Sequence, residues 1–264
     1  MIEISEAGRR YGRKQPQPLP AHMMLSRISP NLPSVVDLRA WGGAVKDQGD
    51  EGSCTGHAGS SKGEWISKKY FGHPITFSPQ YIYANELIAQ GDFPQDEGSS
   101  GETLCEVMIA LGNCPVEEFP YIAGDITRPT PDQIAAARPY KLGAYHGLTG
   151  SQVAQSVLGD ATPWPILVGF NVAASFESST VAATGVYNPQ PNEKIVGGHE
   201  VLCLGCDLGD VPTSRPAGSA PSFLIQNSWG SAWGWQGGYF WMPASVFDDP
   251  QTDLKIVHPG AAWK

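Results

Sequence analysis

Gln48, Cys54, His199 and Asn227 have the types and settings that nucleophilic catalysis needs. In Gln48-Gly-Asp-Glu-Gly-Ser-Cys54 the thiol lies where a glycine-rich loop enters a predicted helix. The positive end of the helix dipole and free backbone N–H groups there favour the thiolate, the nucleophilic form. The glycines let the backbone come close to a substrate. Gln48 carries a neutral N–H donor that, with the Cys54 N–H, could hold an oxyanion forming beside the sulfur. A lone cysteine in such a place is most often a buried structural one. This one is accompanied. Gly197-Gly-His199 opens an apolar run and Asn227-Ser-Trp229 closes another, with Trp233 just beyond. A thiol–imidazole pair needs a third group to orient the ring. An asparagine does this without adding charge, and Trp229 can shield the bond from water. The chemistry so assembled is attack of a thiolate on a carbonyl carbon.

The elements that must position these groups fall into helices first and strands after. A predicted helix runs from Cys54 through Tyr70, anchored by Ala58, Trp65 and Ile66. Ser78-Pro79 caps a second. Ser99 with Glu102 fits a capping box for a third, in which Leu104, Val107, Met108 and Leu111 share a face before Gly112. Thr130-Pro131 caps a short fourth helix that ends before Pro139. Beyond about residue 140 the runs at 164–172, 199–205, 222–228 and 238–242 read as strands separated by Gly, Pro and Asn, with one helix at 151–158. This order predicts an α+β fold of two lobes, 34–139 helical with the nucleophile and 140–264 barrel-like with His199 and Asn227. Residues 1–33 are an extended arm with Arg9, Arg10, Arg13, Lys14, Arg27, five prolines and one apolar knot at Met23, Met24 and Leu25. Residues 207–221 form a Gly/Pro/Ser loop between two strands.

Composition narrows the partners. Against 17 Lys and Arg stand 26 Asp and Glu, a formal charge of −9, which disfavours nucleic acid and anionic membrane. The most apolar stretch, 164–172, is about half the length a membrane span requires. The N-terminus lacks the apolar segment of a signal peptide, so a cytoplasmic location, or secretion without a recognisable signal, is expected. The five cysteines, Cys54, Cys105, Cys114, Cys203 and Cys206, are an odd number and unfavourably spaced for bridges, so a disulfide-free chain is expected. His199, Cys203 and Cys206 suggest a zinc pattern only weakly, because a fourth ligand is missing and a strand turns the two thiols to opposite faces. No metal or organic cofactor is expected.

Three segments in order carry a resemblance. Val36-Asp37-Leu38-Arg39 with Lys46-Asp-Gln48-Gly, then Gly52-Ser53-Cys54, then Gly198-His199 and Asn227-Ser228-Trp229-Gly230 with Trp233-Gly234 and Gly238-Tyr239 resemble the papain family of cysteine peptidases. The GSCT form of the nucleophile motif is similar to the bacterial, archaeal and viral branch. Glu51 stands where the family usually has a cysteine, and Thr55 where it usually has an aromatic residue. The Cys54–His199 spacing falls within roughly 130–150 residues, and the 207–221 loop accounts for the longer reach to Asn227. The resemblance implies a two-lobe papain-like fold and peptide-bond hydrolysis through a thiolate–imidazolium pair. Cys54, His199, Asn227 and Gln48 would be catalytic, and Gly98, Ser99, Glu200, Trp229 and Trp233 would contact substrate. Glu200 at the pocket's border would disfavour a bulky apolar residue and accept Lys or Arg, or else be a solvated or paired acid. His57, one turn after Cys54, reads as a core histidine. A Cys-His-Asn acyl transferase or amidase uses the same groups, and a non-catalytic module of the same shape is the third reading. A monomer acting on peptide or protein substrates is expected. The arm is expected to cross or flank the cleft and restrain activity, so that removing 1–33 raises turnover.

Overall fold

The computed structural model describes residues 10–26, 28–30, 32–261 and 263. The early arm with Arg9, and Arg27 further on, lie outside the described residues. The helices are α1 (Cys54–Tyr70), α2 (Pro79–Gln90), α3 (Gly101–Ala110), α4 (Pro131–Ala137), α5 (Gly150–Leu158), α6 (Ser179–Thr184) and α7 (Ala244–Phe247). The strands are β1 (Met24–Leu25), β2 (Val35–Asp37), β3 (Leu142–Leu148), β4 (Ile166–Ala173), β5 (Ile195–Asp207), β6 (Ser222–Gln226), β7 (Tyr239–Pro243) and β8 (Asp253–Pro259).

Helix α1 is buried nearly all round, from Cys54 to Ser67. Its glycines make that possible. A Cβ on Gly56 would lie 2.4 Å from the Pro79 carbonyl oxygen, and one on Gly59 2.5 Å from Leu104 Cδ1, so α2 and α3 approach the α1 backbone directly. Helix α2 starts as the sequence predicts: Ser78 Oγ accepts from Tyr81 N at 3.0 Å, and Gly91 ends it in the left-handed region at φ 81°. Helix α3 differs from expectation by one residue. Ser100, not Ser99, is the cap and accepts from Thr103 N at 3.2 Å. The Ser99 backbone is committed elsewhere, to the arm. Helix α4 starts at the predicted Thr130-Pro131 cap, where Thr130 also forms a capping box with Gln133.

One sheet holds the second half together, in the order β1-β3-β8-β4-β5-β6-β7, with β2 also paired to β5. Among the described residues the sheet is open, with β1, β2 and β7 each paired on one side, consistent with the expected two-lobe α+β fold. Strands β3 and β8 carry charges and glycines at irregular intervals, which hides their alternation in sequence; they pair with each other, and β8 also pairs with β4. The short helices α6 and α7 likewise lack a periodic apolar face long enough to predict. Strand β5 is the longest and packs against α1, so the helix bearing Cys54 lies directly on the strand bearing His199. Lys62 of α1 reaches across to the Pro165 carbonyl at 2.6 Å, and the Tyr70 ring stacks on Trp164 at 4.7 Å.

Candidate active site

Cys54 is the first residue of α1 and His199 lies near the centre of β5, while Asn227 follows β6. His199 Nε2 donates to Asn227 Oδ1 at 2.8 Å. The same oxygen accepts the Ser228 N–H at 2.8 Å, which fixes the amide's orientation. An amide oxygen accepts, so Nε2 carries the proton and Nδ1 is the basic nitrogen. Trp229 stacks on the imidazole at 5.2 Å between ring centres and 28° between planes, which keeps water from the bond. Trp233 stands behind Trp229 at 5.0 Å and packs on Phe176 at 5.5 Å. It supports the first tryptophan rather than lining the cleft, because its ring is buried in the aromatic cluster.

The backbone N–H groups of Glu200 and Gly12 face the Cys54 sulfur. The sulfur therefore sits against the residue next to His199. Burial is the largest influence on this thiol and pushes it up to about 12; the two N–H groups pull the other way, and the charges of Glu200 and Glu86 add to the rise. The helix-terminus argument for a thiolate is outweighed here because the group is fully buried.

Gln48 is held at both ends of its amide. Its Nε2 donates to the Glu51 carbonyl at 2.8 Å, and its Oε1 accepts from Ser228 Oγ at 2.6 Å. One amide hydrogen remains uncommitted by these contacts. His57 is buried, its Nδ1 bonded to the Ser53 carbonyl at 3.0 Å and its ring edge-on to Tyr121 at 4.7 Å. Burial first, then nearby positive charge, lowers it to about 3. It fits the core position expected of it.

The burial of Cys54 has a visible source in the arm. Ser99 N donates to Gly12 O at 2.7 Å, Lys14 N to Ser99 O at 2.6 Å, and Arg13 N to Gly198 O at 3.1 Å. Arg13 and Ser99 thus form a parallel bridge. Gly98 passes so close that a Cβ on it would lie 1.9 Å from Gly12 O. Tyr11 lies 6.0 Å from the His199 ring and 6.2 Å from Trp229, and its hydroxyl donates to Glu177 at 2.8 Å. Arg10 pairs with Asp96 at 2.9 Å and Lys14 with Asp92 at 2.6 Å. The apolar knot docks as β1, Met24 beside Gly147 and Leu25 beside Leu148 of β3.

Glu200 is neither solvated nor exposed: its side chain is buried, 3.8 Å from the equally buried Arg13 guanidinium. Sequence reasoning noted Arg13 only as one of several arm cations and passed over Asp96, which holds Gly52 N at 3.1 Å. An isolated acid in a loop gives no signal until the fold brings its partner.

Comparison with known proteins agrees with this geometry. A family profile described as papain family cysteine protease matches residues 32–252. A peptidase C1-like protein of Acanthamoeba polyphaga mimivirus is 28% identical over 226 residues, 80% of this chain and 68% of that protein. Cysteine proteinase B of Leishmania mexicana is 27% identical over 219 residues, 78% of this chain but only 44% of its own length. Xylellain, a cysteine protease from Xylella fastidiosa, superposes with a TM-score of 0.80 at 26% identity, covering 94% of this chain and 95% of that one. The fold is shared with a digestive procathepsin L 3 of Tenebrio molitor, at a TM-score of 0.69, 19% identity, and 94% and 76% coverage. This chain belongs to the papain family of cysteine proteases.

Proposed function

We propose that the chain is a latent cysteine peptidase whose own N-terminal segment covers its catalytic groups. Once the segment lifts, His199 Nδ1 takes the Cys54 proton and the thiolate attacks the peptide carbonyl. The oxyanion accepts from the Cys54 N–H and the remaining Gln48 Nε2 hydrogen. The C–N bond breaks as His199 Nδ1 returns its proton to the leaving amine, which leaves a thioester on Cys54. Water then attacks that ester, giving a proton to Nδ1, and the thiolate leaves with the carboxylic acid released. Asn227 keeps the imidazole in the tautomer and orientation both halves need. The observation that carries this reading is the Nε2–Oδ1 bond under Trp229, beside a sulfur faced by the Glu200 N–H.

Latency rests on the arm occupying the cleft along 10–14. A point change tests it without removing β1. A Cβ on Gly12 would lie 1.7 Å from the Gly52 carbonyl oxygen, so full-length Gly12→Val must lift this stretch. Iodoacetamide should label Cys54 in Gly12→Val far faster than in the parent, and only the variant should hydrolyse fluorogenic peptides rapidly. Equal labelling of both proteins would remove the arm's role. Rapid labelling without hydrolysis of any peptide would remove the peptidase reading.

A further inference from the structure

Behind the His199–Asn227 pair, where the first turn of α1 meets β5 and the end of β6, lies a small space of about 10 Å³. His57, Gln226 and Asn227 all line it, and they are 1%, 3% and 3% exposed. Each brings one buried polar atom with no hydrogen-bond partner among the described residues: His57 Nε2, Gln226 Oε1 and Asn227 Nδ2. Buried polar groups are rarely left so, because each has given up its hydration. A space of this size holds one water molecule. The charged side chains beside it are committed elsewhere. Lys46 Nζ pairs with Glu64 at 2.7 Å and bonds Ser61 Oγ at 3.3 Å, and the Glu200 carboxyl faces Arg13 at 3.8 Å.

The hydrogens at this space have fixed directions. His57 Nδ1 lies 3.0 Å from the Ser53 carbonyl oxygen and 3.3 Å from Ser53 Oγ. A carbonyl only accepts, so Nδ1 carries the hydrogen and Nε2 presents a lone pair. Gln226 spends its Nε2 on the Gly43 carbonyl at 3.4 Å, which leaves Oε1 as an acceptor. Asn227 gives its Oδ1 to His199 and Ser228, so its Nδ2 is a donor. Two acceptors and one donor match a single water that gives two hydrogens and receives one. The Asp47 carbonyl also faces the His57 ring and adds a further acceptor. The Nδ2 hydrogens make the space unsuited to a cation.

Resting on the reading of His199 as the base for Cys54, we propose that a bound water joins His57 Nε2, Asn227 Nδ2 and Gln226 Oε1, and that His57 acts through it as a positioning residue for the imidazole. The bonds then run one way. Asn227 donates to the water, the water donates to His57, and His57 donates to the Ser53 carbonyl. An inverted Asn227 amide would point its NH₂ at the His199 and Ser228 N–H groups and its oxygen at a water whose hydrogens are already given. The line therefore holds the amide oxygen on His199 and sets which ring nitrogen is basic. It begins at the residue next to Cys54, so one polar connection ties the helix start bearing the thiol to the group that orients the base. Burial lowers His57 to about 3, so Nε2 stays an acceptor at all higher pH.

Two experiments test this. A high-resolution crystal structure of the parent chain should show one water within ~3.2 Å of all three atoms. A space without that water would overturn the proposal. The second experiment uses full-length Gly12→Val and the rate of Cys54 labelling by iodoacetamide at about pH 6, below the point where free thiols ionise. Adding His57→Phe keeps a ring against Tyr121 and removes the acceptor. It should slow labelling ~10-fold, the worth of about one hydrogen bond, and raise the pH midpoint. Adding His57→Gln restores an acceptor and should stay within ~2-fold of Gly12→Val. Labelling unchanged by His57→Phe, or slowed equally by both changes, would overturn the positioning role and leave the peptidase reading standing. Labelling unchanged by His199→Ala in the same background would overturn the base reading itself, and the positioning role with it.

Discussion

The thiol and the imidazole are held in different ways. His199 is oriented by one amide oxygen that the Ser228 N–H also holds in place. Asn227→Ala should therefore lower kcat/KM of an arm-lifted protein by ~10²-fold, within the usual range for disturbing a catalytic base; an unchanged value would deny Asn227 its positioning role. Cys54 depends strongly on its cover. Burial holds the thiol up at about 12 in the closed protein, whereas the N–H groups of Glu200 and Gly12 favour thiolate. Lifting the arm returns water to the sulfur and removes the largest opposing influence. The pH midpoint of iodoacetamide labelling should then fall well below that of the parent in Gly12→Val. A midpoint that stays where it was would show that the arm does not set the thiol's ionisation. These residues were legible in sequence because type and order alone single them out. Gln48 was legible as an amide, but not its tether to Ser228, which comes from a segment 180 positions away.

At the scale of elements, α1 and β5 carry the design. Helix α1 has poor helical propensity, with Gly56, Gly59 and Gly63 in its body, and is stable because its whole surface is covered. Lys62 is the unusual member of that covered surface. Among the described residues it has one carbonyl partner, the Trp164 ring at 5.4 Å, and no carboxylate hydrogen bond or salt bridge. Burial lowers it to about 7, from an ordinary value near 10.5. A lysine lowered in the folded state binds fewer protons than in the unfolded state between those two values. Stability therefore rises with pH from about 7 to about 10.5, approaching ~1.4 kcal/mol per pH unit for one proton. Lys62→Met should flatten that slope in urea titrations and keep or raise stability near neutral pH, because the desolvated charge is gone. A slope of the same steepness in the variant would place its source elsewhere. The capping difference at α3 belongs to this scale too. Ser99 and Ser100 are equally good caps by type, and only the arm's claim on the Ser99 backbone separates them.

The whole molecule is an α+β arrangement in which the N-terminal segment lies across the groups that both halves contribute. Its hold combines buried and exposed pairs. Arg13–Glu200 is buried, whereas Arg10–Asp96 and Lys14–Asp92 are partly exposed, with cation side chains 37% and 38% accessible. Exposed pairs of this kind contribute ~0.2–1 kcal/mol each and are screened by salt. Raising ionic strength from ~0.01 to ~0.5 M should therefore increase basal hydrolysis by the parent ~2–5-fold, and Asp92→Asn should remove part of that response. A basal rate insensitive to salt in the parent would mean that the buried contacts alone close the cleft.

By itself the sequence determined the candidate catalytic set, its order and the α-then-β plan. Each of these is written in residue type, spacing and local periodicity, which survive without a fold. Two of the helix starts follow from the caps at Ser78-Pro79 and Thr130-Pro131, and a third lies one residue beyond the cap expected at Ser99, since capping is a contact within one turn. The tertiary structure alone decided that β3 and β8 exist, that the sheet stays open, and that Glu200, Glu102, Asp253 and Lys255 converge behind Arg13. Those outcomes depend on charges and strands brought together from distant parts of the chain. Their energies come from burial and pairing across space, and neither quantity is written in any local stretch of residues.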